Sequence, residues 1–318
     1  ATKLPHQQCR SYEDFDRIFV EQCKRLKTDY IDYYLIHNLS DLEAWDLLKD
    51  AGIEHWIAEK KQNGQIRNIG FSFHGTQASF LELLDAYDWE FCQIQYNYMN
   101  ENYQAGRKGL LKAHAKGLPV IVMEPLLGGK LATALPPKAA KTLKAADAAR
   151  SPAGWALSWL WNQPEVTCVL SGMNSAEQLT DNLAIAETAT VGCLTAAEHD
   201  VIESVKSVFE EAYPIPCTGC NYCMPCHHKV NIPGCFAAYN TAHAIGFVAG
   251  MTQYLTSSNA IHPKSNTRVS NCVHCGLCEQ KCPQHIAIMD GLDEARRRLE
   301  PFWFGAAMKI ARLVTGTR

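Results

Sequence analysis

Eight of the chain's fourteen cysteines cluster in the stretch from Cys217 to Cys282, where only Cys235 stands apart from them, and no other feature constrains the fold as strongly. They form two runs of four. The first is Cys217-x2-Cys220-x2-Cys223-x2-Cys226, and the second is Cys272-x2-Cys275-x2-Cys278-x3-Cys282-Pro283. A disulfide framework spreads pairs through a short secreted chain. This chain has 318 residues, and its other cysteines (Cys9, Cys23, Cys92, Cys168, Cys193, Cys235) stand singly. Clustered CxxC in such a chain points to metal.

The second run has the spacing of bacterial [4Fe-4S] sites, in which the fourth cysteine, followed by Pro, serves the other cluster. Crossed ligation then predicts one cluster on Cys217, Cys220, Cys223 and Cys282. The other takes Cys226, Cys272, Cys275 and Cys278. Paired CxxC also suits tetrahedral zinc, but four cysteines per run at this spacing favour clusters. The first run departs from the pattern: His227 stands where Pro is expected. His227 and His228 are therefore alternative ligands, disfavoured against the cysteines. The 45 residues between Cys226 and Cys272 are too many for a tight β-type ferredoxin. The stretch from Phe236 through Leu255 reads as helical, so a helical ferredoxin-like domain is expected. Cys235 reads as a plain thiol, and Cys92 and Cys168 as buried ones within apolar strands.

Length alone allows about two domains at roughly 150 residues each. Thirty basic against thirty-three acidic residues leave a net charge of −3, so no basic field exists to hold a nucleic acid. No apolar stretch reaches the roughly 18 residues of a membrane span, and the N-terminus has no signal-peptide pattern. A cytoplasmic location is expected.

Up to about residue 190, short apolar runs alternate with helical ones. Ile31–His37, Ile66–Phe73, Phe91–Tyr96, Pro119–Met123 and Val166–Leu170 read as strands, with a further short one at Thr2-Lys3. Ser11 reads as the N-cap of a helix through Leu26, and Ser175 with Gln178 as a capping box. Near-continuously apolar strands separated by helices imply a parallel sheet covered on both faces. The strands repeatedly end in polar residues, among them His37-Asn38, Ser72, Gln95-Tyr96-Asn97 and Glu124. That is how a (β/α) barrel displays its chemistry at one mouth. Six strands are countable rather than eight, which leaves an open sheet or a chain that starts late. A boundary falls at 213/214, giving domains 1–213 and 214–318. The helical run Leu292–Val314, interrupted by Pro301, is expected to pack on the Cys-rich part.

Thr2-Lys3-Leu4, the block Leu26 to His37, Ile69-Gly-Phe-Ser72 and Gly172 through Asn182 resemble the aldo/keto reductases. The likeness runs from residue 1 to about 210. With the cysteine-rich tail, the chain resembles the iron–sulfur branch of that family. The resemblance implies a (β/α)8 TIM barrel lacking its first two βα units, plus a small, mostly helical ferredoxin-like domain. It implies catalysis by Asp, Tyr, Lys and His, where Lys3 matches the lysine and His37 the histidine. The Asp and Tyr precede the lysine strand in the family, so the sequence is expected to be part of a longer reading frame. It further implies NADP or NAD binding. Ser72 and Gln93 match contacts to the nicotinamide carboxamide, and Leu127-Gly128-Gly129 the pyrophosphate loop. Asn182 matches the adenine contact. Gly172 and Gln178 replace the Lys and Arg that grip a 2′-phosphate, which leaves the cofactor preference open.

Two functions follow. The first is a carbonyl reductase or alcohol dehydrogenase acting on a small molecule by hydride transfer, with two [4Fe-4S] clusters for electron transfer or structure. The second is an electron-transfer or redox-sensing iron–sulfur protein whose barrel is a scaffold. Nicotinamide delivers two electrons and each cluster takes one, so an external electron donor or acceptor is an expected partner.

Overall fold

The structure, a computed structural model, describes residues 1–262 and 265–315. The chain divides into two compact units, residues 1–126 with 153–195, and residues 127–152 with 196–318. Among the described residues no helix is long and apolar enough to cross a membrane.

The first unit is built on six parallel strands: β1 (Thr2–Leu4), β2 (Ile31–Ile36), β3 (Ile66–Phe73), β4 (Phe91–Gln95), β5 (Val120–Met123) and β6 (Cys168–Val169). Each pairs with the next in sequence, in the order β1-β2-β3-β4-β5-β6. A sheet wound in one direction in this way is that of a (β/α) barrel, not of a doubly wound fold. The helices of this unit are α1 (Tyr12–Leu26), α2 (Leu42–Asp50), α3 (Ile53–Gln62), α4 (Gln77–Ala86) and α5 (Gly106–Ala115). After α6 (Pro137–Ala146), which groups with the second unit, come α7 (Pro152–Trp161) and α8 (Ala176–Thr188). Ser11 does stand at the N-cap of α1, in extended backbone, but without a side-chain bond to the helix amides. Ser175 caps α8 through its hydroxyl, which accepts from the Gln178 N–H.

Register sorts the side chains into two faces. Tyr34, Ile36, Phe71 and Phe73 face the helices, where Tyr34 meets Trp56 and Phe71 meets Phe80 and Trp89. All of these aromatic rings except Trp89 are fully buried. Leu35, Gly70 and Phe91 are level with one another on the opposite face. Gly70 is required there, because a Cβ would stand 2.4 Å from the Phe91 carbonyl oxygen.

Cys92 is buried, as its place in an apolar strand implies, but Cys168 is exposed. The reason is local. The run expected as Val166–Leu170 forms only a two-residue strand, paired on one side to β5.

The second unit adds α9 (Ala196–Ala212), α10 (Ile232–Ala244), α11 (Phe247–Ser257), α12 (Ile288–Leu299) and α13 (Phe304–Thr315). The helical character expected between the cysteine runs is therefore split over two helices. α10 and α11 pack closely because Gly250 carries no side chain: a Cβ there would stand 2.4 Å from that of Ala242. Phe236, Tyr254, Leu292, Leu299 and Phe304 form the centre of this core, and Cys217, Cys223, Cys226, Cys272, Cys278 and Cys282 pack along its edge.

Candidate functional site

In the first unit the polar residues gather at one level of the sheet. Ile36 is level with Phe71, so His37 is level with Ser72, and Ser72 pairs in register with Gln93. His37, Ser72 and Gln93 thus share a face and a height across β2, β3 and β4. Lys3 precedes this level by two residues on β1 and lies on the same face. Backbone bonds lock the arrangement. The His37 N–H donates to the Leu4 carbonyl (2.9 Å), and the Asn38 N–H donates to the Ser72 hydroxyl (2.9 Å).

Lys3 and His37 also act on one another through charge. Burial holds the Lys3 ammonium below its usual pKa. Burial also lowers the His37 imidazole, and the charges of Lys3 and His6 lower it further. Among the described residues Lys3 has no carboxylate or hydroxyl hydrogen-bond partner. His6 is a member of this group that the sequence reading missed. It is nearly buried, its Nε2 lies 3.3 Å from the Asn38 carbonyl oxygen, and burial lowers its pKa. Its only sequence signal is its position, three residues after Lys3.

Gln93 is buried and donates to the Met123 sulfur at 3.0 Å. Two residues on and on the same face, Gln95 is fully buried with neither its amide nitrogen nor its oxygen bonded. The Asn38 side-chain oxygen is likewise buried and unbonded. Buried polar atoms of this kind are rare in folded proteins and mark places where a further group belongs. Glu124, left-handed at φ +54°, is held above the usual carboxylate pKa by burial. Asn182 is buried and donates to the Ser171 hydroxyl at 2.9 Å. Gln178 is exposed, and its side-chain oxygen accepts from the Asn174 N–H, so it serves the helix start. Gly172 is exposed with open space around it. Leu127, Gly128 and Gly129 lie in the second unit, all with positive φ.

The eight clustered cysteines sort into two cavities of the second unit. One is lined by Cys217, Cys220, Cys223 and Cys282. The other is lined by Cys226, Cys272, Cys275 and Cys278, with Cys223 at its border. His227 and His228 also border this second cavity but are exposed. Among the described residues no three His, Cys, Asp or Glu side chains converge closely enough to hold a single metal ion.

Apolar walls set the thiol chemistry. Ile232 and Phe236 line the first cavity, Val230 and Leu292 the second. Burial pushes the Cys223 thiol up to about 12, and the Cys217, Cys220 and Cys282 sulfurs add to the shift. Cys272 is raised by burial and by Cys226 and Cys275. Thiols crowded in this way become thiolates only against a strong positive charge, which is what bound metal supplies. Hydrogen bonding from the backbone at residues 284–286 acts against the burial that raises the Cys282 thiol, and from Gly219 against that which raises Cys217; the His274 N–H donates to the Cys272 sulfur at 3.5 Å. These donors favour anionic sulfur, so the residues fit [4Fe-4S] groups. Beside Cys217, the Lys130 ammonium donates to the Cys217 carbonyl oxygen and lies 5.4 Å from the centre of the Tyr213 ring.

Comparison with known proteins agrees with both halves of this description. The model of the family described as "Aldo/keto reductase family" matches residues 1–206. That of the "4Fe-4S dicluster domain" matches residues 216–287. No curated protein matches the chain. Among solved structures, the aldo-keto reductase AKR11C1 from Bacillus halodurans (holo form) superposes with a TM-score of 0.51 at 24% identity, over 64% of this chain and 70% of that one. A putative 2,5-diketo-D-gluconic acid reductase B gives a TM-score of 0.48 at 23% identity, over 64% and 66% of the two chains. A parallel sheet wound in one direction, matched along its whole length by one family model, makes this chain a member of the aldo/keto reductase family, continued by a 4Fe-4S dicluster domain.

Proposed function

We propose that the chain is an NAD(P)-dependent oxidoreductase that reduces a small-molecule carbonyl, or oxidises the corresponding alcohol, and that it carries two [4Fe-4S] clusters. The observation supporting it most directly is the shared level of His37, Ser72 and Gln93, with Lys3 on the same face. The unbonded amide of Gln95 is what a polar ligand at this level would satisfy.

In this reading Ser72 and Gln93 hold the nicotinamide carboxamide, and Asn182 contacts the adenine. The bound nicotinamide supplies the hydride. His37, kept neutral by burial and by Lys3, orients the substrate carbonyl with its ring N–H. The Lys3 ammonium stabilises negative charge developing on oxygen. No tyrosine hydroxyl bonds to Lys3 among the described residues, so the proton donor of the family is not assigned to any residue here. A positioned acid contributes typically ~10²–10⁴-fold, a contribution that no described tyrosine is placed to make at Lys3.

Nicotinamide nucleotide binding tests the reading without turnover. Fluorescence titration with NADPH and NADH should saturate, and Ser72→Ala and Gln93→Ala should each weaken binding. Equal binding by both variants and the parent would overturn the cofactor assignment.

The eight cysteines favour a second reading, in which the clusters serve an external electron donor or acceptor and the barrel is scaffold. A cluster passes one electron at a time, whereas nicotinamide passes two. Anaerobic protein whose visible absorption bleaches with NAD(P)H alone would support internal coupling and exclude the scaffold reading.

A further inference from the structure

The two cysteine cavities are alike in their sulfur content and unlike in their cations. At the first, the Lys130 side chain is half-buried, its ammonium bonded to the Cys217 carbonyl oxygen and set over the Tyr213 ring. Tyr213 is fixed in turn, because its hydroxyl donates to the Ala134 carbonyl at 2.7 Å. The loop that delivers the lysine is equally constrained. Gly128 has φ +64°, and a Cβ there would stand 2.7 Å from the Thr218 carbonyl oxygen. Loop and cysteine run are therefore in close backbone approach, two residues from Lys130 and one from Cys217.

Among the described residues no carboxylate pairs with Lys130, and the titratable group that acts on it is Cys217, once its sulfur is anionic. A cation withdrawn from water is retained when something anionic answers it. Carbonyl and ring supply only dipole and quadrupole, so the answering charge is that of the sulfur site. Among the described residues lining the second cavity the one lysine or arginine, Lys281, is exposed, where water and salt screen it.

We propose that Lys130 is a positioning residue that makes the two cluster sites electrostatically unequal, favouring the reduced, more negative state of the group held by Cys217, Cys220, Cys223 and Cys282. This rests on the proposal that the cysteines hold [4Fe-4S] groups. One-electron reduction by an external reductant adds one negative charge to that site, and the nearby ammonium lowers the cost of adding it. The site on Cys226, Cys272, Cys275 and Cys278 lacks this help and takes its electron second.

The test is an anaerobic, mediated redox titration with dithionite, followed by electron paramagnetic resonance, on the full chain and its variants. Iron and sulfide are assayed first. In the parent, two separated midpoints are expected. Lys130→Met should lower the higher one, shifting the reduced-to-oxidised ratio of that site about tenfold, which is about 59 mV for one electron. The other midpoint should stay in place. Lys130→Arg keeps the charge and should keep the potential. Tyr213→Leu leaves the lysine in sequence but removes the ring beneath it, and should produce a smaller shift of the same sign. Protein without iron would overturn the cluster reading and this inference together. Protein with full iron in Lys130→Met and unmoved midpoints would overturn the inference alone. Loss of iron in that variant with an unshifted midpoint in Tyr213→Leu would assign Lys130 to structure and also overturn it.

Discussion

Cys282 lines one cavity with Cys220, while Cys278, four residues before it, lines the other. Proximity in sequence and in space are thus opposed at this cysteine. Tight turns carry the chain between them: the Cys282 N–H donates to the Glu279 carbonyl (3.1 Å) and the His285 N–H to the Cys282 carbonyl (3.0 Å).

Replacement of Cys282 by serine should therefore empty the site built mainly from the first run. Iron should fall from about eight to about four per chain, and the remaining signal should be that of the site with Cys272. Iron assay with electron paramagnetic resonance checks this. Loss of the other site's spectrum would show uncrossed ligation.

His37 gives a pH dependence whose sign follows from its lowered pKa. The folded state binds this proton less readily than the unfolded state, whose histidine titrates near about 6.5. Stability should hold above that value and decline as pH falls through it, because unfolding then takes up a proton. His6 adds to the decline, being lowered as well. Lys3→Met removes one of the charges acting on His37 and should raise its pKa, leaving the burial contribution. Histidine ring resonances followed by NMR titration measure both effects.

Gln95 separates stability from binding. Its two side-chain polar atoms are buried without partners, and an unmet buried polar group costs about 1–3 kcal/mol. Gln95→Leu should leave the ligand-free chain as stable or more stable in urea unfolding, and should weaken nicotinamide nucleotide binding. A variant that unfolds earlier and binds equally well would contradict the placement of this amide against a ligand.

Gly70→Ala tests the sheet. The added Cβ meets a backbone carbonyl at 2.4 Å, which cannot rotate away. A loss of about 1–3 kcal/mol is expected, read as a lower urea midpoint.

The strands from Ile31 to Met123 were legible because each is an apolar run bounded by turn residues, and the structure places them within a residue of expectation. The cysteine runs were legible because their spacing is itself the geometry of the ligand. Cys168 was misjudged, since burial depends on a neighbouring strand and not on the apolar residues beside it. His6, Gln95 and Lys130 were not identified as site residues. Each gains its meaning from residues distant in sequence: His6 from Asn38, Gln95 from the lack of any partner, Lys130 from Cys217.

The crossed arrangement of cysteines also dictates an order of synthesis. Strands β1 to β6 pair each with its predecessor, so a chain leaving the ribosome can add them one at a time, as N-terminal parts generally fold first. The sulfur sites cannot follow that schedule. Cys217, Cys220 and Cys223 must wait for Cys282, and Cys226 for the run beginning at Cys272. A ribosome stalled anywhere between the two runs would present four cysteines and no finished site. Any metal these cysteines hold is therefore bound only after the run from Cys272 to Cys282 has been made, because that run contributes to both sites.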